Sequence, residues 1–407
     1  MGRSMANDGR ALCLVAAMVL ATGARASHCD LTAGVEARRY SDQEAGVPPR
    51  DYRTLASVQS ELSCSRSYGS QSVSGKVFGR WAQHGSERTH GDIRELQWLW
   101  TREPFQFRAG IDRVFWGVTE FAHIVDVINQ ADIVEDPFGE TKIGQPMLSV
   151  TTRGAWGSLS IYGMPRFRVR GFPDVGEPMR PAPPFGLGAA VFESRDGRRH
   201  LDGAMRYSRS QGPVDIGLSY FEGTSRDPKF LIGVTASGVP ESHPYYELMS
   251  QAGVDVQLTL DEWAFKFEGA RRHAAQRSRN AYTVGIEYAM VGILGTSADL
   301  ISILEYVRDR RDPLPLPGFL DDDLEFGFRI AGNDSRTSEL KLGVTFDRRR
   351  DSRAWSLEFG TRIAARWRLN AQARVFDKVS PRDPLTVLKN DSYLSLSLVR
   401  YFLSPSQ

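Results

Sequence analysis

Six carboxylates and a single amine crowd residues 117–146: Glu120, Asp126, Asp132, Glu135, Asp136 and Glu140 against Lys142. Elsewhere Lys76, Arg80, Arg108, Arg329, Arg362, Arg368 and Arg374 occupy alternating positions that direct them to the enclosed face of their segments. Only seven of the 51 basic residues are lysine, which leaves 44 arginines. Guanidinium keeps its charge in a confined space and grips carboxylate in a two-pronged geometry. Such a set selects ions and polar solutes electrostatically and needs no covalent step. Enzyme chemistry finds no comparable set. His84, Glu87 and His90 lie in a turn-like segment, with a spacing unlike the helical zinc-protease motif. The chain has no G-x-S-x-G elbow and no His-Ser-Asn cluster. We therefore expect no catalytic residue, metal or cofactor.

The segments that must position these charges alternate apolar and polar residues in stretches of about ten, the pattern of strands in a membrane β-barrel. Val254, Val256, Leu258 and Leu260 alternate with Asp255, Gln257 and Thr259; Leu324, Phe326, Phe328 and Ile330 alternate with Glu325, Gly327 and Arg329. A soluble sandwich also alternates, but it has no use for charges on its enclosed face. Counting back from a last strand at Ser392 to Phe402, long and short connections take turns. The count is eighteen strands with both ends on the periplasmic side. Sixteen is the alternative, because Met147 to Arg153 and Asp299 to Val307 are weak strands. The expected fold is all-β: a transmembrane antiparallel β-barrel in the bacterial outer membrane.

In this register the acidic stretch 117–146 joins strands 5 and 6. Ile124, Val125, Val127, Ile128 and Ile133 are too apolar for a freely solvated loop, so it is expected to insert into the lumen. Acids on the loop would then oppose arginines on the wall at a constriction. Trp100, Trp156, Trp263, Trp367 and Phe402 all fall at periplasmic strand ends, where amphipathic rings favour the interface.

Arg3 and Arg10, the apolar run Ala11 to Leu20 and the site Ala24-Arg25-Ala26 together read as a signal peptide over residues 1–26. A single barrel is expected over 27–407. Removing Arg3, Arg10, Arg25 and Asp8 takes the 51 basic and 49 acidic residues to 48 of each. That balance gives no global attraction for nucleic acid. The most apolar later window, Tyr288 to Val307, contains Asp299 and Glu305 and reads as strands rather than a helical span. Cys13 leaves with the signal, so Cys29 and Cys64 remain as an even pair in an oxidising compartment. In the first hairpin they would face each other near the periplasmic rim, which makes a disulfide.

Two stretches resemble known proteins. Tyr393 to Phe402, ending in an aromatic residue, looks like the C-terminal strand read by the outer-membrane assembly machinery, with five residues following Phe402. Trp116-Gly117 with Glu120, followed by Val127-Ile128-Asn129-Gln130-Ala131-Asp132, is similar to the W-G-E…V-I-N-P-x-D stretch of a porin-like outer-membrane family of largely unassigned function. Gln130 stands where that family has proline. The resemblance covers about residues 105 to 165 and implies a porin-like outer-membrane barrel; together with the charged wall and the inward loop it leads us to expect a channel for passive diffusion of small polar or charged solutes. General porins resemble the arrangement of an inward loop between strands 5 and 6.

Two alternatives stand beside the channel: a loop-plugged barrel acting in envelope assembly or export of an anionic polymer, and an outer-membrane hydrolase. Arg348-Arg349-Arg350 and Arg198-Arg199, in outside loops, either are solvated or bind lipopolysaccharide phosphates. Asp321-Asp322-Asp323 reads as a solvated strand entry, with surface calcium as the alternative. Homo-oligomers are compatible with this reading.

Overall fold

The structure is a computed structural model that describes residues 28–41, 52–139, 141–180, 183, 185–311 and 320–403. The expected signal peptide and Glu140 lie outside the described residues. The first barrel strands are β1 His28–Tyr40, β2 Thr54–Tyr68, β3 Gln71–Ala82, β4 His90–Arg102, β5 Phe105–Asp112 and β6 Gln145–Gly154. There follow β7 Gly157–Met164, β8 Asp202–Gln211, β9 Val214–Thr224, β10 Leu248–Leu260, β11 Trp263–Ala274 and β12 Arg277–Met290. The last six are β13 Asp299–Asp309, β14 Asp322–Ala331, β15 Glu339–Asp347, β16 Arg353–Ala364, β17 Trp367–Asp377 and β18 Tyr393–Leu403.

Each strand pairs antiparallel with its neighbours in the chain, and β18 pairs antiparallel with β1, so the 18-stranded sheet closes and has no edge. The two weak segments that left sixteen strands open are β6 and β13. Side chains alternate as the period requires. In β13, Ile303, Glu305, Val307 and Asp309 are buried inward, whereas Leu304 points out and is 38% exposed. Val35, Leu148, Ile161 and Leu396 likewise stand outside, each about half exposed. An apolar exterior wrapped around a charged interior is the inverse of a soluble fold and fits lipid contact.

At the short-turn end, rings form a band. Trp100 stacks on Phe107 at 5.3 Å, Trp156 on Tyr207 at 6.2 Å, and Trp263 meets Tyr288 at 4.5 Å. The guanidinium of Arg400 lies 4.7 Å from the Phe402 ring.

Cys29 and Cys64 are directly opposed in the β1–β2 ladder and form a disulfide across 35 residues of sequence. Closing a loop of that length is worth about 3–4 kcal/mol. Replacing both cysteines by serine should therefore lower the temperature at which the barrel loses its compact gel mobility. An unchanged midpoint would assign the stability to the ladder alone.

Counting long and short connections makes 272–279, 165–200 and 223–247 long outside loops, and in all three the backbone pairs further. The segment 272–279 is not a loop: β11 and β12 continue their ladder to a two-residue turn at Ala275 and Gln276, both at positive φ (46° and 61°). That is the turn geometry whose twist matches two paired strands. The connections 165–201 and 225–247 build a second, small sheet from Lys229–Val234, Pro240–Tyr246, Gly186–Leu187 and Val191–Phe192.

Candidate pore site

The connection between β5 and β6 runs over 113–144, so Gln145 and Pro146 of the expected loop belong to β6. It folds into the barrel. Trp116, Val125, Val127 and Ile128 pack on Met147, Met164, Ala204, Phe221 and Met249, the inward residues of β6 to β10. Ala122 and Ile124 pack on Ala270, Ala281 and Val307 of β11 to β13. The apolar residues that forbid a solvated loop thus fill one half of the lumen.

Its backbone is fastened by the wall. The Glu268 carboxylate of β11 accepts from the Val118 and Thr119 amides (2.7 and 3.0 Å), the Thr119 hydroxyl (2.7 Å) and the Val125 amide (3.1 Å). Glu305 of β13 accepts from the Glu120 and Phe121 amides at 2.7 and 3.0 Å. In the other polarity, Arg226 donates to the Ile128 carbonyl (2.9 Å) and Arg311 to the Ile124 carbonyl (3.0 Å). Gly117 sits at φ 129°, and a Cβ there would meet a Glu268 oxygen at 2.5 Å. Asn129 closes the base of the loop: it accepts from the Val114 amide (2.8 Å) and donates to the carbonyls of Asp112 (3.0 Å) and Ile143 (2.9 Å). Gln130, the departure from proline, donates to the Arg168 carbonyl and accepts from Arg170 at 3.1 Å, tying this loop to the next one. The residues that carry the family resemblance are therefore fastening points.

A space of about 830 Å³ remains between the charged side of the loop and the opposite wall, β1 to β4 and β13 to β18. Glu120, Glu135 and Asp136 line it from the loop; Arg80, Arg329, Arg368 and Arg374 line it from the wall. Arg80 grips Glu135 with two nitrogens (2.9 and 2.8 Å) and also reaches Glu36 (2.8 Å) and Ser57 (2.7 Å). Arg329 lies 3.4 Å from Glu120. Arg374 pairs with Glu358 at 2.5 Å, its guanidinium 4.9 Å from the Phe138 ring of the loop. Burial alone would push the Glu135 carboxyl up, but Arg80 and Arg88 outweigh it and hold that carboxyl below the usual glutamate range.

No protein-family model matches the chain, and no curated protein matches it. Among solved structures it is similar to OmpT, an outer membrane protein of Vibrio cholerae in a trimer form: 9% identity, 93% of this chain against 99% of that one, TM-score 0.46. It is also similar to a mutant of the Rh. blastica porin, with 11% identity, 93% and 100% coverage and TM-score 0.44.

Four of the expected constriction residues stand elsewhere. Asp126 is not on the space: its side chain is 1% exposed inside the loop, 3.1 Å from Lys142, and burial pushes its carboxyl above the usual range. Asp132 is buried too; burial and then the neighbouring Glu135 push it up, and it caps the loop by accepting from the Glu135 amide at 3.3 Å. Arg108 pairs with Asp112 of its own strand at 3.3 Å, because the loop covers the wall beyond it. Arg362 lies exposed at the short-turn rim, where the ladder shifts register, too far along β16 to meet the loop. Arg368 lines the space but turns to Asn370 (3.0 Å) and Glu339 (3.6 Å) rather than to the loop.

The sequence reading missed the acids of the wall. Glu36, Glu61, Glu325, Glu339 and Glu358 line the same space as the arginines. The alternation that turns Arg329 inward turns Glu325 inward as well, so the signal was present in the same strands. Of the candidate enzyme residues, His84 stacks on Tyr52 at 4.8 Å and His90 lies 3.7 Å from Glu135.

Proposed function

We propose that this protein is a porin-like channel of the bacterial outer membrane through which small polar or charged solutes diffuse passively, with no catalysis. The observation that supports it is the charged space of about 830 Å³ left between loop and wall. Both signs of charge border this space, so solutes exchange contacts along it rather than meeting one barrier. The aromatic end of β18, zipped between β17 and β1, fits a strand read by the assembly machinery.

One observation favours a second reading, a plugged barrel serving envelope assembly or polymer export. Residues 165–180 cross the long-loop mouth: Phe167 follows the end of β7, while Met179 packs on Tyr40, Leu55 and Tyr393 of β1, β2 and β18. Single-channel recording in a planar bilayer separates the two. Steady ion-selective steps from the intact protein are expected of the channel. Silence from the intact protein, with large steps after deletion of Thr119 to Gly144, would overturn it in favour of the plug.

A further inference from the structure

We propose that Arg308, Arg348 and Arg349 form an outward-facing site for the phosphate of a phosphorylated lipid headgroup, in the leaflet at the long-loop end. The inference rests on the barrel exterior and is independent of what the lumen conducts. Alternation directs Tyr306 and Arg308 of β13, Asp322 of β14 and Arg348 beyond β15 away from the lumen. On that face three guanidiniums converge on one carboxylate. Asp322 receives Arg308 at 3.0 Å, Arg348 at 3.1 Å and Arg349 at 3.7 Å, and the Tyr306 hydroxyl donates to it at 3.0 Å. Asp321 lies 3.8 Å from Arg349, but Arg350 holds it in two-pronged contact at 2.9 Å and also takes Asp347 at 2.8 Å. Arg308, Arg348, Arg349 and Arg350 thus stand against Asp321, Asp322 and Asp347, one cation in surplus, and Arg348 and Arg349 remain 54% and 56% exposed.

The height of the cluster points to the ligand. Directly beneath it the exterior is aromatic: Tyr306 meets Tyr282 at 6.1 Å, and Phe346 meets Phe326 at 5.9 Å and Trp355 at 6.3 Å. Such rings mark the membrane interface. Arg308 stands two residues beyond Tyr306, about 7 Å further along the strand, at the level of headgroup phosphates. Planar guanidiniums match phosphate oxygens in pairs, and a surplus of cations beside a membrane attracts anionic lipid. Arg308, which completes the set from the neighbouring wall, is invisible to a reading of the 348–350 run alone.

The test uses the full-length protein in detergent, titrated with short-chain phosphatidic acid, with the matching diacylglycerol and with inorganic phosphate, bound lipid being counted by native mass spectrometry. Saturable retention of phosphatidic acid is expected, with none of diacylglycerol. Replacing all three arginines by glutamine should weaken retention about a hundredfold, taking roughly fivefold per arginine, and Asp322→Asn should strengthen it. Arg349→Gln alone, at an exposed loop position, should weaken it several-fold and keeps the test sound if the triple variant does not fold. Equal retention of diacylglycerol, or an unaltered affinity in the folded triple or single variant, would overturn the proposal. Inorganic phosphate binding as tightly as the lipid would also overturn it, leaving a soluble-anion site.

Discussion

Glu268→Leu is expected to unfasten the inward loop between β5 and β6 while leaving the barrel closed. The carboxylate is the acceptor for three backbone amides and a hydroxyl of residues 118–125. Each buried donor left without an acceptor costs about 1–3 kcal/mol, so the loop loses several. The amides of Val118, Thr119 and Val125 should then exchange with solvent orders of magnitude faster, and single-channel current should become noisy and larger. Glu268→Gln should fall between, because the amide keeps one acceptor oxygen but sets its own donors against those of the loop. Adding Glu305→Leu removes the acceptor of the Glu120 and Phe121 amides and should approach the loop deletion. Unaltered exchange in the double variant would assign the anchoring to the packing of Val125, Val127 and Ile128 on β6 to β10.

Arg80→Ala should have the second largest effect, on stability and selectivity together. Glu36 keeps Arg38 at 3.0 Å and Arg88 at 3.3 Å, but Glu135 loses its two-pronged partner and is left with His90, 3.7 Å away, and the more distant charge of Arg88. Breaking one side of a buried ion pair costs about 3–5 kcal/mol, which thermal unfolding would register. The lumen also loses one positive charge, so the reversal potential in a salt gradient should move toward cations. Arg80→Lys should not restore the wild-type values, since a point charge cannot hold both Glu135 oxygens with Glu36 and Ser57. Combining Arg80→Ala with Glu135→Gln should cost clearly less than the two single changes added together, as expected for groups in direct contact. Additive effects would show that the pair is not coupled.

The two experiments probe different halves of one element, and the sequence foretold them unequally. Arg80 opposite an acid of the loop was legible, because strand parity turns Arg80 inward and the apolar stretch from Ile124 to Ile133 demands burial. The role of Glu268 was not. Its alternation with Phe265 and Phe267 places it inward, yet nothing local states that its partners are backbone amides 143 to 150 residues away. Asp126 and Asp132 illustrate the converse. Counting loop acids treats each as a surface charge, whereas a loop only about thirty residues long that fills half of a lumen must turn some of them into itself.

The antiparallel barrel, the placing of the long loop between β5 and β6 and the Cys29–Cys64 pairing are determined by the sequence itself, whereas the choice of eighteen strands over sixteen waited for β6 and β13 to be seen in the sheet. The first three depend on period, parity and turn chemistry, which are local properties that a membrane barrel repeats along the chain. What faces what across the lumen was decided only by the tertiary structure: amides of the loop on Glu268 and Glu305, acids among the arginines of the wall, and Arg308 beside Arg348 outside. Closure brings together strands far apart in the chain, and a charge acts on what stands opposite it in space, whatever its distance in sequence.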